Sequence, residues 1–136
     1  MQAGELKQSL SLITADEMKK ELDGKGMVTL YINFDTDKAT IKAESEPTIE
    51  EIYTLLKDNK DLKVSINGYT DNVGSADHNQ KLSEARAKSM VDALTRKGIS
   101  SSRLQAKGFG QNDPIADNRT EEGKSKNRRV EIVKIQ

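Results

Sequence analysis

Apolar and polar residues alternate from Met27 to Phe34, with Val28, Leu30, Ile32 and Phe34 on one face, which predicts a strand over 27–34. A second alternating run, Leu62, Val64 and Ile66, predicts a strand ending at Gly68. Between them the period changes. Ile49, Ile52, Tyr53 and Leu56 recur at i, i+3, i+4 and i+7, the stripe of a helix that Ser45 and Pro47 open and that runs to about Asn59. Ala87, Met90, Val91 and Leu94 mark another helix, entered through a loop from Tyr69 to about His78 and reaching Lys97. Its end carries a Schellman signature, with Gly98 at C′ and Leu94 and Ile99 as the pair that touch. Thr14 with Glu17 three residues on has capping-box form, so a short helix is expected from Thr14 to Gly24, stopped by Gly24-Lys25-Gly26. Residues 103–109 predict a weaker strand, 121–126 one helical turn, and 128–135 a closing strand.

Strand–helix–strand units make parallel pairs through right-handed crossovers. The expected fold is therefore a two-layer α/β sandwich: a β-α-β-α-β-β core whose mixed four-stranded sheet carries helices on one face, with a short N-terminal helix added. Thr29, Tyr31, Asn33, Lys63, Ser65 and Asn67 alternate with the apolar set, so the second face of the sheet is expected to be partly wet.

Composition narrows the function. The 136 residues fit one domain, and 22 basic against 22 acidic residues leave no net charge, so no field invites nucleic acid or an anionic membrane. No apolar run is long enough to span a bilayer as a helix. With no Cys and one His, thiolate zinc sites, disulfides, Cys nucleophiles and two-imidazole sites are excluded. Residues 1–13 lack a basic n-region and are not expected to be a secretory signal, so an exported parent would carry its leader outside this stretch.

Ligands of such sheets collect outside the carboxyl ends of parallel strands. Acids stand at two of these ends: Asp35 and Asp37 after the first strand, Asp71 after the second. The second end also feeds a helix N-terminus, whose free N–H groups favour an anion, and Gly68 and Gly74 are expected to let the backbone approach a ligand. Asn79, Ser83 and Arg86 follow as a polar stripe about 10 Å long. Helical side chains lean toward the N-terminus, so Arg86 is placed to reach back toward Asp71. One carboxylate and one guanidinium so disposed suit a zwitterion, Asp71 taking an ammonium and Arg86 forking onto a carboxylate. Other readings stay open: Asp71 as a turn or N-cap residue, Arg86 as a surface charge, the two paired with each other, or Asp35, Asp37 and Asp71 serving a metal-assisted hydrolase. His78 is expected in solvent. No nucleophile elbow, Walker loop or dinucleotide fingerprint is present, which points to a binding site without a reaction or cofactor.

The stretch Gly68-Tyr69-Thr70-Asp71-Asn72-Val73-Gly74, followed by Asn79, Leu82-Ser83, Arg86-Ala87, Gly98-Ile99, Gly108-Phe109-Gly110, Pro114, Asn118, Gly123 and Asn127-Arg128-Arg129-Val130-Glu131, resembles the OmpA-like C-terminal domain family, and Ile32-Asn33-Phe34-Asp35 fits it too. The family includes the peptidoglycan-associated lipoprotein and the periplasmic part of flagellar stator proteins. The resemblance covers about residues 27–135, which sets residues 1–26 apart as an extension and 27–136 as the domain. It implies non-covalent binding of peptidoglycan through the diaminopimelate of the stem peptide, in a Gram-negative periplasm, by a domain of an outer-membrane-linked parent that does not itself insert into the membrane. The family's site falls on Thr70, Asp71, Asn79, Leu82, Arg86, Phe34 and Asp35, and its late Arg on Arg128 or Arg129. Tyr69 stands where many members have His. A protein–protein module whose wall site has decayed is a further alternative, against which Asp71, Asn79 and Arg86 all stand intact.

Overall fold

The structure, a computed structural model, describes residues 12–135. The expectation for residues 1–13 therefore lies almost wholly outside the described residues. Helix α1 (Ala15–Lys25) starts on the capping box read from the sequence: the Thr14 hydroxyl accepts from the Glu17 amide, and the Glu17 carboxylate accepts from the Thr14 amide at 2.8 Å. It passes through Gly24 and stops at Gly26, whose φ of 80° is left-handed. Met18 and Leu22 on its inner face are buried in the same core as the sheet.

Strand β1 (Met27–Leu30) is shorter than the alternation suggested. The reason lies in its partner. Among the described residues β1 is an edge strand that pairs only with β4 (Val130–Ile135), and the Leu30↔Val130 pair exhausts the ladder. Beyond it Phe34 makes one isolated antiparallel bridge to Ile41, and the loop between them closes with the Asp35 amide donating to the Thr40 carbonyl at 2.9 Å.

Helix α2 (Glu46–Asp58) has Pro47 in its first turn and follows a single 3-10 turn at Ala43–Ser45. It buries Ile49, Ile52, Leu55 and Leu56, while Tyr53, expected in the stripe, is only partly buried. Strand β2 (Lys63–Tyr69) leads through the 70–75 loop to helix α3 (Ala76–Arg96). This helix starts earlier than expected because Ser75 caps it, its hydroxyl accepting from the His78 amide at 3.0 Å. The Schellman end is present in full: the Ile99 amide donates to Leu94, the Gly98 amide to Thr95, and Leu94 and Ile99 are buried. A 3-10 turn at Ser101–Arg103, strand β3 (Leu104–Gly110), helix α4 (Glu121–Asn127) and β4 complete the chain.

The sheet order is β1-β4-β2-β3, with β2 and β3 parallel and β4 antiparallel to both its neighbours. The α3 crossover makes the expected parallel pair. The α2 crossover does not, because β4 inserts between β1 and β2, leaving them co-directional but unpaired. Val130 and Ile132 of this central strand complete the core facing the helices.

The second face of the sheet is polar but drier than expected: Ser65, Asn67, Tyr69, Arg129 and Glu131 are all buried. The Arg129 guanidinium lies 3.8 Å from the centre of the Tyr69 ring, which stacks on Phe109 at 5.1 Å. It donates to the Glu131 carboxylate and the Asp113 carbonyl, each at 2.9 Å, and to the Asn127 carbonyl at 3.3 Å. A buried charge persists when paired and hydrogen-bonded in this way.

Candidate functional site

Because β1 and β2 run the same way, the loops that follow them emerge at one end of the sheet, and antiparallel β4 begins there. The close approach of α3 to this end depends on glycine. A Cβ on Gly68 would meet the Ser83 carbonyl oxygen at 2.7 Å, and one on Gly108 the Glu84 amide nitrogen at 2.4 Å. Gly68 thus makes room for α3, where the sequence suggested room for a ligand. Ser83, placed in the polar stripe, belongs to the same joint: it is buried, donates to Gln80 and accepts from the Gly110 amide at 2.8 Å.

At this end lies a cleft of about 910 Å³, lined by Phe34, Thr70, Asp71, Asn79, Leu82, Arg86 and Arg128 among others. Seven of the eight candidate residues therefore meet at one cavity. The exception is Asp35, whose contribution is a backbone carbonyl beneath Arg86. Ala76, Asp77 and His78, which open α3, are absent from the lining, so their N–H groups do not face the cavity as expected. Glu121 lines it from α4.

Asp71 is 8% exposed and held on both oxygens. Oδ1 accepts from the Val73 amide at 3.0 Å, and Oδ2 accepts from Arg128 Nη1 at 2.6 Å. The second fork of Arg128 donates to Glu121 at 2.8 Å. Burial alone would lower the Arg128 pKa, but the hydrogen bonds it donates to Glu121 and Asp71 outweigh it and the value is raised. Arg128, the C-cap residue of α4, lines the cleft, whereas Arg129, the next residue before β4 begins, turns into the buried polar face. Among the described residues, Asp71 forms its ion pair with Arg128 and not with Arg86.

Arg86 crosses from α3 to the loop after β1. Nε donates to the Lys38 carbonyl at 2.8 Å, Nη2 to the Asp35 carbonyl at 3.2 Å, and the guanidinium lies 4.9 Å from the centre of the Phe34 ring. Burial lowers its pKa, opposed by Asp37 and Asp71, yet a guanidinium stays charged in water and in proteins alike. Asn79 is buried and spends its amide hydrogens on the Asp71 and Val73 carbonyls and on Gln111, so it clamps the 71–73 loop to α3. The Thr70 hydroxyl donates to the Asp71 carbonyl at 2.7 Å.

His78 is half exposed, with Nε2 3.4 Å from an Asp37 oxygen. Asp35, Asp37 and Asp71 do not gather: no group of three or more His, Cys, Asp or Glu among the described residues is placed to hold a metal. Asp71 is engaged instead by the Arg128 guanidinium. Sequence reasoning missed Glu121, although an acidic residue opening a helix after the Thr120 cap was a signal for it. It also missed Tyr31 as a cavity wall, because the alternation assigned that residue to a strand.

A mixed sheet with helices on one face, and one carboxylate and two guanidiniums at its strand ends, define a domain of the two-layer α/β class. Residues 33–128 match the model of the OmpA family, and the chain belongs to that family. It is 42% identical over 102 residues to the probable lipoprotein YiaD of Escherichia coli, covering 75% of this chain and 47% of that protein. It is 45% identical over 87 residues to outer membrane protein A of Klebsiella aerogenes, covering 62% of this chain and 25% of that one. The chain thus spans half or less of the length of these curated relatives. Among solved structures it resembles the T6SS cell wall anchor of Pseudomonas aeruginosa, with 27% identity and a TM-score of 0.72 over 91% of this chain and 98% of that one. No helix among the described residues is long and apolar enough to cross a membrane.

Proposed function

We propose that this chain binds peptidoglycan non-covalently through the meso-diaminopimelate of the stem peptide, and so anchors an envelope protein to the cell wall in the periplasm, without catalysis and without a cofactor. One observation carries the reading: the Asp71 carboxylate and the Arg86 and Arg128 guanidiniums line one cleft. The free end of diaminopimelate is an ammonium and a carboxylate on one carbon. Asp71 receives the ammonium, Arg86 and Arg128 the carboxylate, through charge-assisted and forked hydrogen bonds. Thr70 and Asn79 fix the loop that presents Asp71, Phe34 and the Asp35 carbonyl seat Arg86, and Leu82 supplies an apolar wall for the ligand's methylenes. The likeness to a cell wall anchor and to outer-membrane relatives supports the same reading. Residues 27–136 form the wall-binding unit in this account, with α1 packed onto it.

Co-sedimentation with purified diaminopimelate-type sacculi tests the proposal. The chain is expected in the pellet, and release by free meso-diaminopimelate is expected to return it to the supernatant. Retention in the supernatant throughout would overturn it.

A further inference from the structure

The cleft exceeds what one zwitterion needs. At about 910 Å³ it is of the size that takes a whole drug-sized molecule, whereas the end of one side chain fills only the part around Asp71, Arg86 and Arg128. A second arm is walled by Thr29 and Tyr31 on one side and by Glu122, Ser125 and Lys126 of α4 on the other. Tyr31 is 47% exposed, yet its hydroxyl reaches across to the Lys126 carbonyl at 3.5 Å. Its tip lies beside α4 while the ring stays open to solvent. An aromatic surface held in advance loses little freedom when a ligand packs on it.

The groups around the ring are hydroxyls and a carboxylate. Ser125 donates its proton to the Glu122 carbonyl at 2.8 Å, which leaves its oxygen free to accept. Thr29 adds a hydroxyl and Glu122 a carboxylate acceptor. An aromatic face ringed by such groups matches a pyranose, which offers a flat C–H face to the ring and hydroxyls around its rim. We infer that this arm is a saccharide subsite taking an N-acetylated hexose of the wall glycan, with Tyr31 as its platform. The inference rests on the proposed reading of the Asp71 end. Covalent continuity supports it: Tyr31 touches Lys126, and Lys126 and Arg128 are two residues apart, no more than about 7 Å between Cα atoms. The stem peptide joins the sugar to diaminopimelate through a short stretch at up to about 3.3–3.6 Å per residue, so one muropeptide reaches both arms.

Calorimetry on the full chain separates the two claims, using a free diaminopimelate stem peptide and the same stem carrying its disaccharide. Wild type is expected to bind the disaccharide form roughly two- to tenfold tighter, the worth of one good aromatic contact. Tyr31→Ala is expected to erase that gain while keeping the free-stem affinity and the melting temperature, because Tyr31 lies outside the core. Tyr31→Phe is expected to keep most of it. Equal binding of the two ligands by wild type, or a gain that survives Tyr31→Ala, would overturn the subsite and leave the diaminopimelate reading standing. No binding of the free stem would overturn that reading itself, and the subsite with it.

Discussion

Asp71→Asn changes a charge and almost nothing else. The amide keeps the shape of the carboxylate, and its oxygen still accepts from the Val73 amide, 3.0 Å away, so the turn that presents residue 71 survives. What is lost is the negative charge 2.6 Å from Arg128. The Arg128 side chain is 40% exposed and keeps its bond to Glu121 at 2.8 Å, so a partly solvated pair is being broken. The loss of stability is at most about 1 kcal/mol, or about 4 °C in melting temperature for a domain of this size. Binding suffers more. An ammonium that loses its charged partner forfeits about 1.5–3 kcal/mol, or roughly 10- to 150-fold in affinity. The two guanidiniums also lose their counter-charge and repel the ammonium. Calorimetry with a diaminopimelate stem peptide and a thermal melt on the same sample read both quantities. Affinity within about threefold of wild type, with the melt intact, would refute the assignment of Asp71 as the ammonium partner.

Two further outcomes follow from the same geometry. Arg86→Lys loses the fork to the carbonyls of Asp35 and Lys38 and the planar contact with Phe34. It should lower stability by roughly 1–2 kcal/mol and bind the stem peptide nearly as poorly as Arg86→Ala, and wild-type affinity in the Lys variant would reduce the role of Arg86 to long-range charge. Burial, with the Glu131 carboxylate nearby, pushes the Tyr69 phenol up to about 12. Its folded value thus lies above the unfolded value of about 10, so this contribution to stability is intact below about pH 10 and is lost as pH rises through about 12. Urea midpoints should fall over that window more steeply in wild type than in Tyr69→Phe, and identical slopes would refute the coupling.

The parts of this molecule set by local chemistry were legible in the sequence. Thr14 and Glu17, and Leu94, Gly98 and Ile99, define their helix ends within a few residues, and both ends formed as read. The strand order was not legible. Nothing in Val130-Glu131-Ile132 says that β4 divides β1 from β2, because that choice is made by packing across the whole sheet. The same insertion cut β1 short, since an alternating run becomes a strand only as far as a partner extends. At the site, spacing and side-chain direction singled out Asp71 and Arg86, but the partner of Asp71 lies 57 residues away and only the fold brings it there. Arg128 and Arg129 are chemically identical in the sequence. It is the backbone between the end of α4 and the start of β4 that sends one to the cleft and the other beneath Tyr69.

In the proposed function the cleft reads both ends of a zwitterion. Diaminopimelate and lysine differ at that end by a single carboxylate. In the proposed mode Asp71 accepts the ammonium of either, whereas Arg86 and Arg128 find an acceptor only in the first. A site built to bind a group rejects its absence strongly, and a charged donor left without its partner costs on the order of 2–5 kcal/mol, or roughly 30-fold and upward. Side-by-side calorimetry with stem peptides identical except for this residue measures the difference directly. Binding of the diaminopimelate peptide is expected, with at least a roughly 30-fold weaker response to the lysine peptide. Equal affinities would contradict the proposed mode, even if the chain still bound the wall.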